Sequence, residues 1–167
     1  MQPRKSRKEL VLDEPFLALL TTLNEAQVSR VLQSYVAGLV AISPRGTARG
    51  VRRLTSAYVW SRGRYYHDAA LAGPMRELVN ALEAAQHDDG TYDQGNLHSP
   101  PDSAFTLQDL CLIWTLLNED GRPASQPIIA ALERIIRKAG PALASGGVHT
   151  PNHRWEVCAA LARIDHL

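Results

Sequence analysis

Strand signals are nearly missing from this 167-residue sequence. β-Branched residues do not gather in alternating runs, and no Asn-Gly or Asp-Gly pair joins two such runs. That excludes architectures built from β-hairpins. An excess of one charge is missing too: 18 Lys and Arg stand against 17 Asp and Glu, for a net charge of +1. A nucleic-acid binder usually shows a strongly basic balance, so no nucleic-acid partner is expected. The basic opening MQPRKSRK reads as a solvated terminus, and residues 1–14 are taken as a flexible arm. No run reaches the roughly 18 apolar residues that span a bilayer, so no membrane partner is expected. Glu9, Asp13 and Glu14 interrupt ELVLDEPFLALL and make it a poor signal peptide. A cytoplasmic location is the default expectation. There are two cysteines, Cys111 and Cys158, each inside an apolar helical pattern, and both are expected as small buried thiols. A phosphate-cradling GxxxxGK and a GxSxG nucleophile elbow are absent. No cofactor is expected.

What the chain does have is helical periodicity, in 45% hydrophobic residues. The expected fold is all-α, with residues 15–167 as one domain of about seven helices in antiparallel hairpins. Pro15 opens a first helix to about Leu23. Asn24 is placed to cap a second, in which Val28, Val31, Leu32, Tyr35, Leu39 and Ile42 keep three–four spacing. SPRG is expected to end it, and a third helix to run from about Ala48 to Trp60. Pro74 is expected to start the next. Asp102 or Ser103 is expected to cap the helix through Trp114, Gly140 to stop the one that carries Pro127 in its first turn, and His153 to begin the last.

Two polar stretches interrupt this pattern: GNLHSPPDSAF (Gly95–Phe105) and SGGVHTPNHRW (Ser145–Trp155). Both hold Gly, His, Asn and Pro ahead of a helix. One helical hairpin separates them, so up-down packing puts both at one end of the bundle, with the short NEDGRPAS turn at the other. Loops this long in a compact domain are usually functional or disordered, and the prolines and glycines here suggest shaped loops. The candidate residues are Asn152, His153 and His149, with Asn96, His98, Tyr92, Trp155 and Arg154 around them. A plainer reading makes Asn152 a helix cap and His153 a solvated neighbour. Asp88, Asp89 and Asp93 lack the distal Glu of a calcium loop. His98, His149 and His153 do not follow a metal-ligand spacing, so no metal is expected. Asp93 and Asp102 are the one pair that suggests a hydrolase.

TPNHRW (Thr150–Trp155) resembles the Asn-His motif, closely followed by an aromatic, of heparinase II/III-like and toroidal alginate-lyase-like polysaccharide lyases. The pair of loops is similar to those of heparinase-like bacterial proteins. The resemblance implies a partial α/α toroid and β-elimination on a uronate-containing acidic polysaccharide or oligosaccharide. It implies that Asn152 donates to the uronate carboxylate and that His153 neutralises charge or assists proton transfer. The chemistry explains the need. A proton beside a carboxylate is barely acidic, and donors that stabilise the enolate-like charge let an ordinary base remove it. The family's tyrosine base follows the motif at a distance, whereas twelve residues without Tyr follow Trp155 here. The expectation is a portion of a larger enzyme, with apolar helix faces exposed. The alternative is a non-catalytic helical module that binds a glycan or a protein.

Overall fold

The computed structural model describes residues 13–38, 43–94, 97–147 and 150–167. Among the described residues the fold is all-α, with six α-helices: α1 (Glu14–Val36), α2 (Pro44–Val59), α3 (Ala69–Ala85), α4 (Pro100–Asp120), α5 (Gln126–Ser145) and α6 (Pro151–Ile164). A two-residue antiparallel ladder, β1 (Asp93–Gln94) with β2 (Leu97–His98), lies between α3 and α4.

Several helix boundaries differ from expectation, each for a local reason. Asn24 does not cap a second helix. It sits inside α1, because no Gly or Pro breaks the backbone there and an interior Asn costs only a fraction of a kcal/mol, about 0.7 at most. SPRG starts α2 instead of ending a helix: Ser43 is extended, and its hydroxyl accepts from the Gly46 N–H at 3.1 Å. α3 begins at Ala69, where Asp68 accepts from Ala70 N–H, and Pro74 lies within it. α4 is capped by Ser99, not by Asp102 or Ser103. α5 runs through Gly140 and Pro141 and stops at Gly146, whose φ is +102°. Thr150, not Asn152, is the N-cap residue of α6.

Three of these starts share one chemistry. Ser43-Pro44, Ser99-Pro100 and Thr150-Pro151 open α2, α4 and α6. Proline holds the preceding residue extended and needs no N–H in the first turn, so a Ser/Thr-Pro step is a strong helix start. These three helices also run side by side in the same direction. Arg45 meets Phe105 and Arg52 meets Asp109 between α2 and α4, while His153 meets Phe105 and Glu156 meets Gln108 between α4 and α6. α1, α3 and α5 run the opposite way. Thr21 accepts from the Trp60 indole, Arg134 of α5 pairs with Glu83 of α3, and Asp120 at the end of α4 meets His67 before α3. The core lies between these two sets of helices, with Leu54, Met75, Leu107, Ile113 and Leu132 fully buried. Cys111 joins it, and burial pushes its thiol up to about 11. Cys158 is exposed, against expectation: it lies on the part of α6 that neither α4 nor α5 covers.

The stretch after α3 is held by buried polar groups. Gln86 donates to the carbonyls of Gly90 and Ile135, both at 2.9 Å. Ser103 accepts from the Tyr92 N–H at 2.8 Å. Tyr92 itself is 1% exposed, and its hydroxyl donates to Leu82 O at 3.1 Å. Tyr92→Phe is therefore expected to remove one buried hydrogen bond, about 1 kcal/mol. Thermal unfolding should fall by about 2–4 °C with the helical spectrum unchanged. A melting temperature equal to the parent's would show that this bond contributes nothing.

Candidate functional site: an arginine-lined cleft

The two polar stretches do meet. A Cβ built on Gly147, which has φ +96°, would lie 3.6 Å from Pro101 Cδ and 3.8 Å from Pro100 Cδ, so the α5–α6 loop rests on the first turn of α4. The ends of α2, α4 and α6 that begin with Ser/Thr-Pro lie together there. Helix N-termini carry partial positive charge and unpaired N–H groups, so this end of the bundle favours anions.

A concavity lies along these same helices. A cleft of about 420 Å3 is lined by Arg45, Arg49, Arg52 and Arg53 of α2, by Phe105, Gln108 and Asp109 of α4, and by Glu156 of α6. Arginines at 45, 49, 52 and 53 share a helix face, because steps of four, three and one stay within one sector of a 3.6-residue turn. The ladder from 45 to 53 rises about 12 Å. Asp109 is buried, and its carboxylate takes Arg52 Nη1 at 2.6 Å. Arg45 lies over the Phe105 ring, its guanidinium carbon 4.1 Å from the centroid. Arg49 and Arg53 are exposed and make no ion pair among the described residues. Gln108 donates to Glu156. Four guanidiniums against two carboxylates leave the wall net positive, although the whole chain is nearly neutral. Arginine forks match carboxylate or sulfate oxygens two at a time, and Phe105 offers an aromatic face beside them.

The expected site residues distribute unevenly around this cleft. His153 is half-buried and meets Phe105 edge-on, with ring centroids 6.3 Å apart, so Phe105 links it to Arg45. Asn152 is exposed in the first turn of α6 and takes the Thr150 hydroxyl on its Oδ1 at 2.5 Å. Arg154 and Trp155 are exposed on α6, Trp155 by 77%. His98 pairs with Asp93 across the β ladder. His149 and Asn96 lie outside the described residues. Tyr92 is corrected: it is a core residue whose phenol is pushed up by burial and tied to Leu82 O, so it neither touches substrate nor serves as a base. The hydrolase pair dissolves as well. Asp102 binds the Ser99 hydroxyl as part of the cap, Asp93 pairs with His87 at 3.0 Å, and neither lines the cleft. Among the described residues no group of three His, Cys, Asp or Glu could hold a metal ion, and no helix is long and apolar enough to cross a membrane.

The arginine ladder is hidden in the sequence as long as SPRG reads as a helix terminator. With the helix starting only at about Ala48, Arg45 lies in a loop and Arg49 at a helix end, off the face of Arg52 and Arg53. The Ser-Pro step that α2 shares with α4 and α6 was the available signal. No family model matches the chain, and no curated protein or solved structure matches it either.

Proposed function

We propose that this chain binds an acidic polysaccharide along the arginine ladder and forms one wall of a polysaccharide-lyase-type α/α toroid. The observation that carries this reading is the meeting of Arg45, Arg49, Arg52 and Arg53 with the Phe105–His153 wall, at the end of the bundle where the TPNHRW turn lies. The ladder supplies several anion contacts in a line, which suits a repeating uronate chain better than a single small anion. The alternation of three parallel helices with three opposed ones is compatible with a toroid segment. In this reading Asn152 and His153 neutralise the uronate carboxylate. A base removes the C5 proton, its electron pair forms the C4–C5 double bond, and the C4–oxygen bond breaks. Among the described residues no tyrosine lines the cleft, so binding without turnover is the second reading.

The test is titration of oligouronates into the 167-residue chain by calorimetry at two salt concentrations, with ultraviolet absorbance to detect an unsaturated uronate. Binding that weakens with salt and yields no absorbance supports binding by this chain without a base. Robust turnover would locate a base within it. Failure of both neutral and acidic oligosaccharides to bind removes the glycan reading altogether.

Asn152→Asp separates the site from the helix start. An acidic residue in a first turn is favoured by the helix dipole, so the melting temperature is expected to stay level or rise by about a degree or two. A carboxylate facing a carboxylate at the ligand is expected to weaken binding at least tenfold, more than about 1.4 kcal/mol. Binding equal to the parent's would remove Asn152 from the site.

A further inference from the structure

The first half of α1 carries large apolar side chains on its surface. Phe16, Leu19, Leu20 and Leu23 are 55%, 55%, 44% and 54% exposed, at the spacing of one helix face. Leu20 also borders an apolar groove of about 310 Å3, with Leu17, Thr21 and Trp60 along it, which widens the patch toward α2. A cluster of this kind on a surface marks an interaction site more often than a scatter of single residues does.

The charges at its two ends indicate what covers it. Arg30, seven residues after Leu23, continues the same face, and Asp13, the N-cap residue, stands at the other end of the helix, seven residues before Leu20. Asp13 caps the helix through the Phe16 N–H, and both residues are exposed with no ion pair among the described residues. The face therefore reads acid, apolar, base from one end to the other. Turned antiparallel upon itself, such a face brings unlike charges together at its ends and leucines together at its centre: Asp13 opposes Arg30 of the second copy, Leu20 opposes its Leu23, and Phe16 covers its Gln27. The helix dipoles also oppose, which is favourable. A two-fold axis needs a self-complementary patch of this kind, and two-fold dimers are the commonest oligomers.

We propose that two copies of this chain associate through antiparallel pairing of their α1 faces. The inference is independent of what the arginine cleft binds. The pairing leaves the α2–α4–α6 wall uncovered, because α1 is separated from α4 and α6 by α2.

Light scattering on a sizing column, over a concentration series, tests this with the 167-residue chain. The parent is expected to move toward a dimer mass as concentration rises. L20E/L23E brings like charges together across the axis and is expected to be monomeric, with an unchanged melting temperature since both side chains are on the surface. L20E/L23K sets the new carboxylate against the new amine of the second copy, and the dimer should return. Arg30→Glu, at an exposed position that leaves the Asp13 cap intact, should weaken the dimer at least tenfold. A parent that stays monomeric at its highest soluble concentration overturns the proposal. So does a dimer that survives L20E/L23E, or a folded L20E/L23K that remains monomeric.

Discussion

Alanine in place of Gly90 is expected to destabilise the chain by about 4 kcal/mol, at the extreme of what one substitution does. Two causes act together. Gly90 has φ +88°, where a Cβ strains the backbone. The same Cβ would lie 2.2 Å from the Lys138 carbonyl oxygen, 2.6 Å from its carbon and 2.7 Å from Ala139 Cα. These are backbone atoms inside α5 and cannot swing aside as a side chain could. The loop must lift off the helix, and the two hydrogen bonds from Gln86, to Gly90 O and to Ile135 O, then break or strain. The melting temperature should fall by about 8–16 °C for a domain of this size. Gly73→Ala is the control. It lies inside α3, where a Cβ meets nothing within 4 Å, so alanine there should stabilise by about 0.5–1 kcal/mol. A Gly90→Ala protein that melts within 3 °C or so of the parent would mean that the loop does not rest on α5 as described.

The second large effect is functional. Arg49→Glu with Arg53→Glu replaces two exposed guanidiniums, neither in an ion pair among the described residues, by carboxylates. Each lost charge-assisted contact removes about 1.5–3 kcal/mol where it is well made, and each reversal adds repulsion. Binding of an oligouronate should drop by at least a hundredfold, roughly 2.7 kcal/mol. Exposed residues away from packing rarely move stability by more than about 0.5 kcal/mol, so the variant should melt with the parent. Arg52 makes a useful contrast. It holds the buried Asp109 carboxylate, so its loss is expected to cost stability as well as binding. If the double reversal binds oligouronate as well as the parent does, the cleft is not where the glycan lies.

The helical class and the meeting of the two polar loops were legible because they rest on periodicity and on the parity of hairpins. Helix limits were less so. Ser43-Pro44 and Pro74 show why: proline stops, starts or sits within a helix according to the residues before it and the tertiary contacts around it. Tyr92 shows a different limit. It follows the polar stretch HDDGT, which suggests a surface, yet it is the plug that fixes that stretch to the core. Sequence neighbours say little about which way one aromatic turns. Asn152 and His153 lie in the first turn of α6, and the ring that meets His153 edge-on is Phe105 of α4, forty-eight residues earlier in the chain and itself covered by Arg45 of α2, a neighbourhood no local motif could spell out.

The three Ser/Thr-Pro starts fall about fifty residues apart, one for each helical hairpin. Most contacts within a hairpin are local, so each can form soon after its second helix is complete, and ordering can proceed from the N-terminus as the chain is made. The arginine cleft follows a different schedule. Its first wall, on α2, is made first, and α4 adds the Phe105 surface some fifty residues later. Glu156 and His153 arrive later still, with α6. Until then Asp109 already neutralises Arg52, whereas Arg49 and Arg53 wait without a counter-charge. The docking of α6 is thus what turns an open basic stripe into a cleft with two sides, and a nascent chain arrested before residue 150 would carry the charge of the site without its shape.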